Sequence, residues 1–205
     1  MKLSAKQFSD MLKNACESVI SAQDELTEID SRFGDADHGV TMTKIAQAIL
    51  TSLGEGGAAI KTTLDDAAMA VMMINGGSAV PLWNTYLDGL MEGAPSGDSL
   101  DEQQLKAMFK HGAEMLSALS KAKVGDKTMM DALLPATDAL LAADGSIADI
   151  MNAAAEAAIA GAEATRGFVS KFGRARSYGE QTLGTPDAGA ISMKYFFVGL
   201  RKDIL

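Results

Sequence analysis

The sequence has almost nothing with which to build a covalent or zinc-based framework. One cysteine, Cys16, and two histidines, His38 and His111, stand in 205 residues, which excludes an internal disulfide and a structural zinc site. Aromatic residues make up 5% and there are only 4 prolines. The longest unbroken apolar stretch, Ala67 to Ile74, is eight residues, far short of the roughly 20 that span a membrane. The opening Met1-Lys2-Leu3-Ser4-Ala5-Lys6 has no apolar run of signal-peptide length. Positive charge is also in short supply. Lys plus Arg number 18 against 27 Asp plus Glu, a net charge of −9, which argues against general nucleic-acid binding and against docking on anionic lipid. The expectation is a cytoplasmic protein without nucleic-acid or membrane partners.

What is abundant is helix-forming. The chain has 34 Ala, 20 Leu and 13 Met but only 7 Val; Ala, Leu and Met favour helices, β-branched and aromatic residues favour strands. The composition therefore predicts an all-α fold without strands, and the length predicts one domain over 1–205. Periodicity and end signals place about eight helices. Ser4 caps one running to about Glu28, with Phe8, Met11, Leu12, Ala15, Val19, Ala22 and Leu26 in one stripe. A second covers about Gly39–Leu53. A third, about Leu64–Ile74, is apolar nearly all round and is expected to be central. A fourth begins around Pro81 and ends at Gly93-Ala94-Pro95. Ser99 and Glu102 read as a capping box for a fifth, to about Ser120. A sixth starts near Lys127, with Asp126 or Thr128 as its cap, and Pro135 should kink it. Ser146 caps a seventh to about Thr165, and the last spans about Ala188–Leu200. Short connections make neighbours antiparallel. His111 reads as structural, and Met72-Met73 as core filling.

Four segments carry chemistry. In Asp30-Ser31-Arg32-Phe33-Gly34-Asp35-Ala36-Asp37-His38-Gly39, three carboxylates lie within eight residues. Convergence on one point requires a cation between them, and hard oxygen donors select Mg²⁺ or Ca²⁺. A calcium loop counted from Asp35 fails, because its twelfth position is Ala46 instead of a bidentate Glu. Spacing alone equally allows a solvated turn that caps the next helix. Asn75-Gly76-Gly77-Ser78-Ala79-Val80-Pro81 leads into a helix N-terminus, whose free N–H groups suit phosphate. No Lys-Ser/Thr follows the glycines, so it is not a Walker A loop. Gly125-Asp126-Lys127-Thr128-Met129 reads, alone, as a helix start. The glycine-rich stretch from Gly173 to Gly189 holds Arg174 and Arg176, and the arginine fork matches phosphate oxygens.

The four segments together, in this order, resemble the nucleotide-binding L subunit of dihydroxyacetone kinases along nearly the whole chain. Gly34-Asp35-Ala36-Asp37-His38-Gly39, Gly125-Asp126-Lys127-Thr128-Met129 and the closing Gly-Arg-Ala…Gly-Glu…Gly…Asp-x-Gly-Ala pattern carry the likeness. The resemblance implies an antiparallel barrel of eight amphipathic helices with a nucleotide site at one end. It implies that Asp30, Asp35 and Asp37 hold two Mg²⁺ ions, and that His38, Thr41, Ser78, Ala79, Ser120, Met129, Arg174, Asp187, Ala188 and Gly189 contact ADP or ATP. It implies phosphoryl transfer to dihydroxyacetone or a related short ketose held as a covalent adduct on a separate K subunit. The donor is then ATP, or ADP rephosphorylated in place by a phosphotransferase-system M subunit. A divergent, non-catalytic paralogue that binds nucleotide or a regulator, such as a transcriptional regulator, and works as an interaction module is the alternative expectation; a stand-alone metal-dependent phosphohydrolase ranks third. Departures from the family pattern motivate the alternative: Ala79 for serine, Val80 and Asn84 for glycine, Thr41 for asparagine, Ala188 for proline. Val80 is expected to resist positive φ and to crowd a phosphate.

Overall fold

The computed structural model describes residues 2–204. Its helices are α1 (Ala5–Ser21), α2 (Gln23–Ser31), α3 (His38–Leu53), α4 (Ile60–Met72), α5 (Ala79–Gly93), α6 (Glu102–Ser120), α7 (Met130–Ala142), α8 (Ile147–Ala164) and α9 (Ala188–Leu200). Two short 3₁₀ segments, Thr165–Gly167 and Arg174–Thr182, lie between α8 and α9. The fold is all-α. Its strand content among the described residues is one two-residue antiparallel pair, β1 (Leu3–Ser4) and β2 (Ser99–Leu100), joining Leu3 to Leu100. This small ladder was not expected from composition.

The helices close a ring. α1 packs on α3, α3 on α4, α4 on α5, α5 on α6, α6 on α7, α7 on α8, α8 on α9, and α9 returns to α1; α2 bridges α3 and α9. The interior is filled. Phe196 of α9 meets Trp83 and Tyr86 of α5 with ring centroids 5.1 and 6.2 Å apart, and Phe197 meets Phe109 of α6 at 5.9 Å. The edge-to-face geometry of Phe196 on Trp83 and Tyr86 adds to the burial of area. α5 and α6 approach closely because Gly89 and Gly112 face each other: a Cβ on Gly89 would lie 2.8 Å from the Gly112 Cα.

Five local expectations are revised. The first helix breaks at Ala22 (φ −93°, ψ 4°), because α2 turns aside to cover α3 and α9. α4 is amphipathic instead of central: Met69, Met72 and Met73 are exposed, as are Asp65 and Asp66. α9 takes the central role, burying Ala190, Ile191, Met193, Phe196 and Phe197. The capping box of α6 is Asp101 with Gln104, because Ser99 is drawn into the strand pair. α7 starts at Met130, later than Lys127. No helix among the described residues is long and apolar enough to cross a membrane.

Candidate functional site

In an antiparallel ring the alternate connections share one end. Those before α3, α5, α7 and α9 carry the four chemical segments, and together they line a cavity of about 230 Å³. Its walls include Asp30, Asp35, Asp37, His38, Thr41, Ser78, Ala79, Met129, Arg174, Asp187, Ala188 and Gly189. All the expected site residues are thus brought together except Ser120, which ends α6 and is not among the lining residues.

The carboxylate loop is built by local sterics. Asp30 closes α2, and its Oδ2 accepts the backbone N–H groups of Asp37 (3.1 Å) and His38 (3.3 Å) at the start of α3. Gly34 lies against that carboxylate: a Cβ there would stand 2.0 Å from Asp30 Oδ1. Carboxylate oxygens of Asp30, Asp35 and Asp37 fall within 4.8 Å of one another. Among the described residues no other three His, Cys, Asp or Glu side chains converge in this way. The cost of convergence shows at Asp37. Lost hydration first, then the charges of Asp35 and Asp30, hold its carboxyl above the ordinary value, with Arg174 pulling the other way. An all-oxygen anionic set suits a hard divalent ion such as Mg²⁺ and does not suit zinc.

Arg174 reaches across the mouth to Asp35, Nη2 to Oδ2 2.7 Å. Next to this ion pair the Tyr178 ring meets Phe33 at 5.2 Å. The segment between α8 and α9 thus lies over the carboxylate loop. His38 is turned towards α9, with Nε2 3.3 Å from Ser192 Oγ and a hydrogen bond to the Ala188 backbone. Burial lowers its pKa, so it acts near neutral pH as a hydrogen-bonding group without charge.

The loop before α5 provides donors. Ser78 makes no side-chain cap, and first-turn N–H groups have no acceptor inside their own helix. Val80 is not in a positive-φ conformation. It is the second residue of α5, 7% exposed, and it does not line the cavity. The expected obstruction is therefore absent. The adjustment falls on Gly76, where a Cβ would meet Val80 Cγ2 at 2.7 Å. Asn84 lies away from the cavity and donates to the Ala68 carbonyl at 2.9 Å, tying α5 to α4.

Asp187 caps α9, its Oδ2 accepting from Ala190 N–H at 2.8 Å. Burial pushes this carboxyl up to about 7. Met129 and Gly189 are neighbours: a Cβ on Gly189 would lie 3.3 Å from the Met129 nitrogen. Sequence reading missed Lys127, Asp131, Ser170 and Phe172. The carboxylate of Asp131 holds the loop before α7, accepting from Gly125 N–H at 2.6 Å and Thr128 N–H at 2.7 Å, while Asp126 accepts from Lys123 N–H at 2.8 Å. Thr128 also contributes, its Oγ1 accepting from Met130 N–H. Lys127 lines the cavity and is 4% exposed.

Comparison with known proteins shows the family. A family model described as the DAK2 domain matches residues 32–202. D-erythrulose kinase of Mycolicibacterium smegmatis is 37% identical over 201 residues, covering 94% of this chain and 33% of that protein. The ADP-binding subunit DhaL of the PEP-dependent dihydroxyacetone kinase of Escherichia coli is 30% identical over 200 residues, 95% of each chain. The chain thus spans about a third of the length of the erythrulose kinase and nearly all of the DhaL subunit. The crystal structure of the dihydroxyacetone kinase from C. freundii in complex with AMP-PNP and Mg²⁺ superposes with a TM-score of 0.74 at 23% identity. It covers 100% of this chain and 35% of that one, a likeness of fold. The chain belongs to the DAK2 domain family and is of the DhaL type.

Proposed function

We propose that the chain is one nucleotide-binding domain that holds Mg²⁺–ADP or Mg²⁺–ATP and presents its phosphates for transfer to a short ketose of three or four carbons. The observation that carries this reading is the convergence of Asp30, Asp35 and Asp37 in one cavity with Arg174 and an uncapped helix N-terminus. The relatives support it by name: one is an ADP-binding subunit, others are erythrulose kinases.

Asp30, Asp35 and Asp37 would hold the metal, as two ions. When bound, Mg²⁺ neutralises phosphate charge in phosphoryl transfer. The remaining work is positioning. The Arg174 fork matches phosphate oxygens, and the backbone N–H groups of Ser78 and Ala79 add donors at the positive end of the α5 dipole. Thr41, Met129 and the Asp187-Ala188-Gly189 turn enclose the rest of the nucleotide, and neutral His38 braces the start of α3 against α9. Arg174, ion-paired with Asp35 in this structure, would turn its fork to phosphate oxygens when nucleotide binds, while the backbone donors are fixed by the start of α5. No side chain of this chain activates the ketose. That task belongs to a K-type substrate-binding subunit, and an M-type phosphotransferase-system subunit is the donor where ADP is retained. The setting is the cytoplasm.

Thermal unfolding with ADP, with and without Mg²⁺, tests the reading on protein stripped of co-purified nucleotide. Ligand at about 100 times its Kd adds about 2.7 kcal/mol, or roughly 5–10 °C for a domain of this size. The expected shift needs both ADP and Mg²⁺. No shift in either condition would refute the nucleotide site and favour the regulatory paralogue. Turnover of nucleotide without a partner would favour a phosphohydrolase.

A further inference from the structure

Lys127 has a set of partners that the proposed chemistry does not explain. Its Nζ donates to four backbone carbonyls: Thr165 (2.8 Å), Phe168 (3.1 Å), Thr182 (2.7 Å) and Thr185 (2.5 Å). An ammonium has three N–H bonds, so four carbonyls share them. Those carbonyls come from two stretches, 165–168 and 182–185, which are the beginning and end of the segment between α8 and α9. The same neck is closed by Gly184 N–H on the Arg166 carbonyl (2.8 Å) and Ser170 N–H on Thr182 Oγ1 (3.0 Å). From this neck, residues 169–181 loop over the cavity and carry Arg174. Directly after it comes Asp187, whose N–H donates to Thr165 Oγ1 at 2.9 Å.

Two features show that the lysine is held there at a cost. Its charge is buried without a carboxylate bonded to it; Asp187 and Asp131 face it only through space, opposed by Arg166. Carbonyl dipoles must therefore replace its water. Its backbone also has φ +60°, a region that non-glycine residues enter with strain. Glycine would suit that backbone better, so the side chain is what the site retains.

We infer that Lys127 is a positioning residue for phosphate binding: its ammonium closes the neck of the 165–185 segment and so holds Arg174 and the 187–189 turn at the cavity. This inference rests on the nucleotide reading above, and the test separates the two. Mg²⁺–ADP affinity is measured by titration calorimetry for the full-length wild type, Lys127→Met, Arg174→Ala and the double variant. Lys127→Met is expected to weaken binding roughly 10- to 100-fold, the range for partners that orient a ligating group. If the lysine acts through Arg174, the double variant binds no more weakly than the weaker single variant within about twofold. Proteolytic cleavage within 169–181 should also accelerate in Lys127→Met. Lys127→Gly suits the backbone and leaves the side chain's channel open; n-butylammonium, but not n-butanol, should restore its binding. That pair of measurements also serves if Lys127→Met fails to fold. Wild-type protein that binds no Mg²⁺–ADP overturns the nucleotide reading. Wild-type binding with Lys127→Met within about twofold of it, or effects that multiply in the double variant, overturns the role of Lys127 alone.

Discussion

The carboxylate centre depends on a missing methyl group, and Gly34→Ala puts that dependence to a direct test. The added Cβ would lie 2.0 Å from Asp30 Oδ1, 2.7 Å from its Cγ and 2.8 Å from its backbone oxygen. Gly34 has no positive φ, so backbone strain is not at issue and contact alone decides. Rotation of Asp30 relieves the first two contacts but not the third. It also removes the acceptor from Asp37 N–H and His38 N–H, two bonds to a charged group at a helix start. Each is worth about 1–2 kcal/mol. Stiffening the unfolded chain returns about 0.4–1 kcal/mol. The net expectation is a loss of about 1–3 kcal/mol, or roughly 3–10 °C in the unfolding midpoint of a domain this size. Asp30 is also displaced from Asp35 and Asp37, so the Mg²⁺-dependent part of the ADP shift should vanish. Gly97→Ala is the control, since a Cβ there meets nothing nearer than 3.9 Å and its φ is not positive. A Gly34→Ala protein with the wild-type midpoint and the full Mg²⁺-dependent shift would refute the steric argument.

Two further substitutions read the electrostatics. Asp37→Asn removes one of three mutually repelling carboxylates, so the apo midpoint should hold or rise while the Mg²⁺-dependent ADP shift is lost; a fall in apo stability with the shift retained would contradict the metal assignment. Asp187 is held up to about 7 in the folded chain by burial, against about 3.9 unfolded. The raised value makes its contribution fully present below the unfolded pKa and lost as pH rises to about 7. Asparagine keeps an oxygen for Ala190 N–H, so the midpoint of Asp187→Asn relative to wild type should climb from pH 4 to about 7 and then level off. Taking this difference sets aside His38, whose lowered pKa gives the opposite slope below its unfolded value. Parallel pH curves for the two proteins would exclude a buried Asp187 charge.

The parts of the molecule legible in the sequence are those fixed within a few residues. Asp30, Asp35 and Asp37 lie in one loop, and no packing event is needed to make them neighbours. Ser146, with Asp149 completing the capping box, announced α8 for the same reason. Choices that depend on distant partners were hidden. Ser99–Glu102 and Asp101–Gln104 are both acceptable capping pairs, and the pairing of Leu3 with Leu100 selects the second. The break at Ala22 has no glycine or proline to mark it; it exists because α2 finds its partners in α3 and α9. The methionines of α4 counted as apolar in a helical stripe, yet an unbranched thioether carries little penalty at a surface, and Met73 is 80% exposed. Lys127 is the strongest case. Its four acceptors lie between 38 and 58 residues away along the chain, so no local pattern distinguishes it from a solvated lysine at a helix start.

The position of the site follows from the parity of the ring. Chain reversal at each turn sends the connections before α3, α5, α7 and α9 to one end, and those before α4, α6 and α8 to the other. Each connection of the first set contributes one kind of group: carboxylates, free N–H donors, the Lys127 ammonium, and Arg174 with the Asp187 turn. Those of the second set hold caps and turns, such as Gly54 to Gly57 and Ser146. Chemistry therefore recurs at every second connection, and residues as far apart as Asp30 and Gly189 meet without a long-range sequence signature of their own. The ring also explains why α9 is the most buried helix. It must close against α1 and α8, reach α5 and α6 through Phe196 and Phe197, and present its first turn, capped by Asp187, to the cavity. A helix so constrained on all sides is a firm floor for the Asp187-Ala188-Gly189 turn. The segment in front of it is held by the Lys127 neck, by Lys171 on Asp126, and by the Arg174–Asp35 and Tyr178–Phe33 contacts across the mouth, so the placement of Arg174 depends on the connections before α3 and α7.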